Sequence, residues 1–313
     1  MSESDKKAPL AGRILYHFFG VIGKLPSWWH YLWADLLSYP LQYIVGYRKE
    51  VIRKNLRNSF PEKSHKELKS LEHKVYVNLC DLAVEIIMLC GFTERRLRRH
   101  VVLENGEIFG QLHNEGHNSI YMFLGHYGDW EWFTALQKFL PDTELNVLYH
   151  KQHGVWNYLM QRARSKFGAE LLEKYAAPRV ILSRRHDDVP RTYVFVADQS
   201  PGINNTHVFI DFFGQKTAVY TGMERLAQIA GSPVVYVEIK KPKRGQYRVR
   251  IELMTMDASE YGEGELAQDF MKRLEETIRR APEYWLWSHR RWRYSIEDVQ
   301  NHFPERKISI LES

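Results

Sequence analysis

The sequence predicts an α/β fold in which a layered sheet is flanked by helices. From about residue 100 onward, short apolar runs alternate with stretches of helical length, which is the pattern typical of such folds. The 313 residues are 44% hydrophobic and 13% aromatic, enough apolar material for one large domain or for one domain plus an appendage. We predict an N-terminal membrane-associated helical region at 1–60, a main domain at 61–294 and a C-terminal tail at 295–313.

The N-terminal region is rich in aromatic residues and poor in charge. Between residues 14 and 47, only Lys24 and Asp35 carry full charges. No uncharged apolar run there has the length of a clean spanning helix. Because Trp and Tyr concentrate at the boundary between water and hydrocarbon, the segment predicts a membrane-docking or shallowly inserted helical element. The alternative is a buried core hairpin.

The remaining elements follow from periodicity. Leucine, valine and isoleucine recur every three or four residues from 68 to 89, which predicts a long amphipathic helix that ends at Gly91. The predicted strands span 119–124, 146–150, 170–173, 192–197, 208–212, 234–240 and 248–253. The predicted helices between and after them span 130–139, 155–167, 178–185, 221–230 and 265–280.

Composition narrows the classes of partner. The net charge is +6 and the pI is about 9.1. Arginine and lysine cluster at 95–99, 240–244 and 290–293, and such clusters suit anionic lipid, an acidic carrier protein or nucleic acid. Nucleic acid is not expected, because no recognition motif and no Gly-rich phosphate loop is present.

The two cysteines do not suggest a metal or disulfide site. Cys80 and Cys90 lie on one predicted helix, and their spacing suits neither a zinc site nor a disulfide framework. His150 and His153 are too loosely placed to indicate a metal site. We therefore expect no metal and no cofactor.

One segment, 124–131, indicates chemistry. His126 follows the predicted strand 119–124 on a turn, and Glu131 comes five positions later, where a helix could begin. A histidine can act as a general base near neutral pH, and a neighbouring carboxylate can hold its ring in the useful tautomer. The pair can converge across a strand–turn–helix junction. The alternative is a core histidine beside a helix-start glutamate.

Several short motifs together resemble the bacterial lipid A biosynthesis acyltransferases of the lauroyl/myristoyl class. The likeness runs from about residue 15 to 294 and depends on motifs at 47–48, 55–61, 125–131, 161–165, 198–202, 208–214 and 282–291. One departure is Asp129, which stands where the family often has Asn. It creates a rival pairing of His126 with Asp129, although Glu131 remains the preferred partner.

This resemblance implies a fold similar to that of the glycerophosphate acyltransferases and an N-terminal anchor on the cytoplasmic face of the inner membrane. It also implies a step of lipopolysaccharide biosynthesis, in which a fatty acyl chain passes from a thioester to a hydroxyl of a lipid A precursor. The expected donor is acyl carrier protein or acyl-CoA, and the expected acceptor is an anionic lipid. Two alternatives stay open: a lysophospholipid or amino-acid lipid as acceptor, and a non-catalytic membrane-binding protein.

The residues are assigned roles on that basis. No Gly-x-Ser-x-Gly elbow is present, so we predict direct attack, with His126 as base and Glu131 as its orienting group. By resemblance, the oxyanion donor is Arg164 or Arg162, unless both face solvent or lipid head groups.

Three further residues are candidates for substrate contact. Asp198 ends an apolar strand, and we expect it to order basic residues or to bind a substrate hydroxyl, unless it is only an Asx-turn residue. Arg290 and Arg291 are expected to hold lipid phosphate.

Overall fold

A seven-stranded mixed sheet forms the centre of the protein in a computed structural model that describes residues 10–312. Residues 1–9, which begin the predicted N-terminal region, and residue 313 lie outside this described part. Its strands are β1 Val101–Leu103, β2 Ser119–Leu124, β3 Glu144–Tyr149, β4 Glu170–Glu173, β5 Arg191–Val196, β8 Val234–Lys243 and β9 Gln246–Thr255. They lie in the order β1-β9-β8-β2-β5-β3-β4, and all neighbours are parallel except β8 and β9.

A smaller three-stranded sheet lies beside the main one. It consists of β6 Val208–Phe212, β7 Gln215–Ala218 and β10 Ser309–Ile310, in the order β10-β6-β7. Phe213 and Gly214 both have positive φ angles, of 52° and 64°, as a two-residue hairpin turn requires. The predicted tail, 295–313, thus contributes the strand β10 to this sheet. It also forms a short helix, Ile296–His302, before that strand.

Helices cover the sheet and confirm the predicted α/β class. They are α1 Leu10–Ile22, α2 Ser27–Pro40, α3 Lys49–Ser59, α4 His65–Gly91, α5 Glu94–His100, α6 Glu107–Asn114, α7 Gly154–Ser165, α8 Ala177–Ser183, α9 Gly222–Ala230, α10 Glu265–Arg280 and α11 Ile296–His302. The predicted helix 130–139 is instead a 3₁₀ helix, Trp132–Lys138. Its segment is rich in aromatic residues, which are weak α-helix formers, and Thr134 donates to the carbonyl of Glu131.

The N-terminal helices form a layer on α4. A π-helical turn, Leu41–Val45, follows α2, and the inner face of α2 buries His30, Tyr31, Ala34 and Ser38. The outer face of α2 and the π-helical turn expose apolar side chains, among them Trp28 in α2 at 67% and Ile44 in the turn at 84%. Each helix within residues 10–312 is too short or too polar to cross a bilayer.

A buried polar cluster ties this layer to the main domain. The Glu85 carboxylate accepts hydrogen bonds from the hydroxyls of Tyr31 and Tyr247, at 2.8 and 2.7 Å, and Lys241 Nζ lies 3.5 Å away. Burial raises the pKa of Glu85. The carbonyl of Glu85 accepts from the Trp132 indole at 2.9 Å, so α4 also supports the 3₁₀ helix that follows Glu131.

A glycine contact fixes the α1–α2 connection to the end of α4. A Cβ built on Gly91 would lie 2.6 Å from Cα of Gly23 and 2.6 Å from the backbone nitrogen of Lys24. Arg96 fastens the same connection by donating to the carbonyls of Gly23 and Leu25, both at 2.8 Å. The close approach therefore requires glycine at position 91.

We expect Gly91→Ala to destabilise the protein. The new methyl group would meet backbone atoms rather than a flexible side chain, and such overpacking costs about 1–3 kcal/mol. The free energy of unfolding in urea measures the effect. Gly110→Ala is the matched control, because a Cβ there meets nothing nearer than 4.0 Å and Ala favours the helix. Equal stabilities for the two variants would show that the glycine contact contributes nothing.

Candidate active site

The site forms where two adjacent parallel strands end. Strands β2 and β5 pair in register up to Leu124 and Val196, and the chain then delivers His126 from one strand and Asp198 from the other. Side chains that follow neighbouring parallel strands meet at the carboxyl edge of the sheet. Nδ1 of His126 lies 2.5 Å from Oδ1 of Asp198, and the His126 backbone N–H donates to Oδ2 at 2.9 Å.

A third donor completes the surroundings of Asp198. The Trp285 indole N–H donates to Oδ2 at 2.7 Å, and the Trp285 segment is bonded to the His126 turn through Leu286 N–H, which donates to the His126 carbonyl. Burial alone would raise the pKa of Asp198, but the charge of His126 and these hydrogen bonds lower it to about 2. The ionised carboxylate therefore fixes the tautomer in which Nδ1 carries the proton.

The partner predicted for His126 is corrected by this geometry. The Glu131 carboxylate accepts from Nε and Nη2 of Arg164, both at 2.6 Å, in a bidentate pair. The strand order places Asp198, rather than Glu131, beside Nδ1 of His126. Burial would lower the pKa of Arg164, but the hydrogen bonds and charge of Glu131 raise it, so the guanidinium stays charged.

The rival pairing of His126 with Asp129 is absent from the contacts of residues 10–312. Asp129 is fully buried, and its Oδ1 accepts from the backbone N–H groups of Glu131 and Trp132, at 2.9 and 3.3 Å. Its Oδ2 has no hydrogen-bond partner within those residues. Burial, together with the charges of Glu85 and Glu131, raises the pKa of Asp129 well above its usual range. The raised pKa favours the neutral form of this carboxyl group.

A cavity of about 450 Å³ lies at this site, a size typical of small-molecule sites. His126, Glu131, Arg164 and Gln199 are among its polar lining residues. Trp130 lies against the His126 ring, with 4.9 Å between centroids. The apolar lining includes Leu148, Val147, Phe195, Pro178, Met223 and Leu226. The His126 side chain therefore lines a cavity whose apolar residues suit an aliphatic chain.

A family model supports this interpretation independently. The model for bacterial lipid A biosynthesis acyltransferases matches residues 11–294. The chain belongs to this family. No curated protein matches the chain. The protein is accordingly an acyltransferase acting on a lipid A-like substrate.

Sequence reasoning missed two residues of the acyltransferase site. The side-chain amide of Gln199 lies 3.1 Å from Nε2 of His126, and Trp285 donates to Asp198. Both lie inside motifs that carried the resemblance, at 198–202 and 282–291, but neither residue type titrates. Position within a motif was thus the one available signal for them.

The other arginines predicted to contact substrate lie outside this cavity. Arg162 is exposed, its guanidinium is 5.7 Å from the Tyr16 ring centroid, and the residues that line the cavity include Arg164 but not Arg162. Arg291 is 1% exposed and donates to the Ala218 carbonyl at 2.7 Å, so the expectation that it holds lipid phosphate is wrong. Burial lowers its pKa to about 10. Arg290 is exposed.

The acyltransferase shows no metal-binding arrangement in the part of the chain that the structure describes. Within residues 10–312, no three His, Cys, Asp or Glu side chains are grouped so as to hold an ion.

Proposed function

We propose that this acyltransferase moves a fatty acyl chain from an acyl thioester to a hydroxyl group of a lipid A precursor. The observation that carries the proposal is the His126–Asp198 pair, whose histidine lines a cavity with more apolar than polar surface. Family membership supports the acyl transfer and the lipid A-like substrate. The hydroxyl acceptor and the thioester donor are supported by the imidazole and the charged guanidinium that line this cavity.

His126 acts as the general base in this proposal. Because Asp198 holds the proton on Nδ1, the lone pair on Nε2 can take the proton of the acceptor hydroxyl. The alcohol oxygen then bonds to the thioester carbonyl carbon, and the carbon–sulfur bond breaks as the tetrahedral intermediate collapses. The thiolate needs little acid assistance to leave, since a thiol has a pKa of about 8.5. It takes up the proton that His126 received.

Arg164 stabilises the oxyanion, and Glu131 positions Arg164. Two of the three guanidinium nitrogens donate to Glu131, while Nη1 makes no hydrogen bond within residues 10–312. A guanidinium held by a bidentate pair is pre-organised and stays charged. Because Arg164 lines the same cavity as His126, its Nη1 is a suitable donor to the oxygen that becomes negative during attack.

Gln199 contacts the acceptor in this proposal. Its amide donates to Nε2 of His126. The acceptor oxygen must bond to this same nitrogen to lose its proton. The acceptor therefore displaces the amide, which remains close enough to donate to the acceptor oxygen. Gln199→Ala is expected to reduce kcat/KM for the acceptor about fivefold, the scale of one neutral hydrogen bond. Steady-state kinetics measure this, with Gln152→Ala at the cavity rim as control; equal values for both variants would exclude the contact.

The same proposal includes docking on the cytoplasmic face of the inner membrane. An N-terminal apolar surface is formed by exposed side chains of α1, α2, their connection and the π-helical turn: Leu10, Ile14, Phe18, Val21, Leu25, Trp28, Leu32, Trp33, Leu36, Leu37, Tyr39, Tyr43, Ile44 and Val45. Exposed apolar surfaces of this extent mark interaction sites, and basic side chains follow at Arg48, Lys49, Arg53, Lys54 and Arg57. Co-sedimentation with anionic phospholipid vesicles tests the docking, and protein that stays in the supernatant would contradict it.

The direct test of the activity identifies donor and acceptor together. Purified protein is incubated with an acyl chain on acyl carrier protein or on coenzyme A, and with a lipid A precursor, a lysophospholipid or an amino-acid lipid. Mass spectrometry should show one additional ester-linked acyl chain on the lipid A precursor. Acylation of only another acceptor would overturn the assignment, and vesicle binding without product from any pair would favour the non-catalytic alternative.

A further inference from the structure

A second concavity lies behind the loop that follows Asp198. It has a volume of about 490 Å³ and is lined by Ile203, Arg290, Arg293, Tyr294, Asp298, Asn301 and His302. We propose that this cavity binds a phosphate monoester group of the acceptor molecule. The proposal rests on the proposed function above and adds a substrate-binding site to it.

The lining presents cationic and donor groups that lack internal partners. Arg290 makes no hydrogen bond or ion pair within residues 10–312. The Arg293 guanidinium lies 4.9 Å from the Tyr294 ring centroid and likewise has no acidic partner there. Asn301 and His302 add an amide and an imidazole from α11. Guanidinium groups bind phosphate through charge-assisted hydrogen bonds, and this lining contains two of them.

The single acid of this lining is already engaged. Oδ2 of Asp298 accepts from the backbone N–H and the hydroxyl of Ser295, both at 2.8 Å, in a capping box at the start of α11. These bonds lower the pKa of Asp298. The Asp298 carboxylate therefore caps the start of its own helix. With one acid and two arginines, the lining has a net positive charge.

The position of Arg290 is fixed relative to the catalytic pair. Trp285 donates to Asp198, and Asn55 Nδ2 donates to the carbonyls of Trp287 and His289, both at 2.9 Å. On the other side, Arg291 is anchored inside the protein to the Ala218 carbonyl. The backbone on both sides of Arg290 is therefore held in place, which fixes the position of the Arg290 Cα.

One loop separates the two cavities. Gly202 and Asn205 line the catalytic cavity, whereas Ile203, between them, lines the second one. The Ser200 N–H donates to Nε2 of His289 at 3.1 Å, and Arg306 donates to the Ile203 carbonyl at 2.9 Å. In the proposed complex the acceptor crosses this loop, with its hydroxyl at His126 and its phosphate at Arg290.

Calorimetry tests the site without requiring turnover. The probes are glucosamine 1-phosphate, glucosamine and inorganic phosphate, each titrated into the full-length protein. We expect the two phosphate-bearing probes to bind and glucosamine not to bind, and we expect Arg290→Ala/Arg293→Ala to weaken binding at least about tenfold. The control is Arg95→Ala/Arg99→Ala, which removes the same charge from α5, outside both cavities. Equal binding by both double variants would overturn the proposal.

Transfer kinetics identify the molecule that supplies the phosphate. With a phosphorylated acceptor, the Arg290/Arg293 variant should show an acceptor KM raised at least about tenfold and a kcat within about twofold of the parent. With the same acceptor after phosphatase treatment, the variant and the parent should have equal KM values. A KM that rises for the acyl thioester instead would assign the arginines to carrier-protein docking and reject the acceptor site. If no acceptor is acylated at all, the proposed function fails while the calorimetric result still decides whether phosphate binds.

Discussion

Asp198→Asn is expected to lower kcat about 10³- to 10⁴-fold, the scale seen when the same change is made in a catalytic triad. An amide N–H group facing Nδ1 would force the His126 proton onto Nε2, and the ring would lose the lone pair that accepts the acceptor proton. The side chain is isosteric and 2% exposed, so the geometry of the pair, 2.5 Å in the parent, should be nearly preserved. The acyl-transfer rate at saturating substrates measures the effect.

Trp285→Phe is the matched control for this variant. It removes the indole donor to Oδ2 of Asp198 but leaves the contact between Asp198 and His126. Losing one hydrogen bond to a charged group costs about 1.5–3 kcal/mol. Part of this cost lowers the stability of the protein and part loosens the orientation of Asp198, so kcat should fall far less than in Asp198→Asn. An Asp198→Asn enzyme that kept more than a tenth of the parental kcat would show that Asp198 does not set the tautomer.

Arg164→Ala is expected to lower kcat about 10²- to 10³-fold, as removal of one oxyanion donor does in other enzymes. The loss should appear in kcat more than in KM, because the interaction forms as negative charge develops. Glu131→Ala should lower both activity and stability, since it leaves the Arg164 guanidinium, whose side chain is only 18% exposed, without its partner. Removing one member of a buried pair costs about 3–5 kcal/mol.

A double variant separates the structural role of this pair from its catalytic role. Glu131→Ala/Arg164→Met replaces the ion pair with apolar groups, which is often neutral for stability. Its unfolding free energy should recover toward that of the parent, whereas its kcat should stay at the level of Arg164→Ala. Recovery of activity together with stability would contradict the role of Arg164 as oxyanion donor.

Local patterns predicted the elements better than they predicted the contacts. The bounds of β2, β4, β6 and α10 are those of the predicted ranges; an apolar run defines β2, and a strong helical period defines α10. The order of strands is a different kind of information. Only the pairing of β2 with β5 brings Asp198 to His126, and no spacing within 124–131 reveals it.

Burial was likewise beyond the reach of the sequence. Arg290 and Arg291 are adjacent and identical in type, yet one is exposed and the other is inside the protein. The buried Arg291 donates to the Ala218 carbonyl, at the end of β7, a strand that the sequence did not predict. Asp129 similarly became a buried cap because the chain turns at Gly128, whose φ is 62°.

If the His126 imidazole removes the proton of a lipid hydroxyl, a variant without that ring must lose most of its acyl-transfer activity. The release of free thiol from a defined acyl thioester, together with the mass of the acylated lipid, is followed for the parent and for His126→Ala. Loss of a general base is expected to lower kcat about 10²- to 10⁴-fold while vesicle binding stays unchanged, because the ring is remote from the N-terminal apolar surface in the chain and contacts Asp198, Gln199 and Trp130 instead. Equal rates of product formation by the two proteins would contradict the claim.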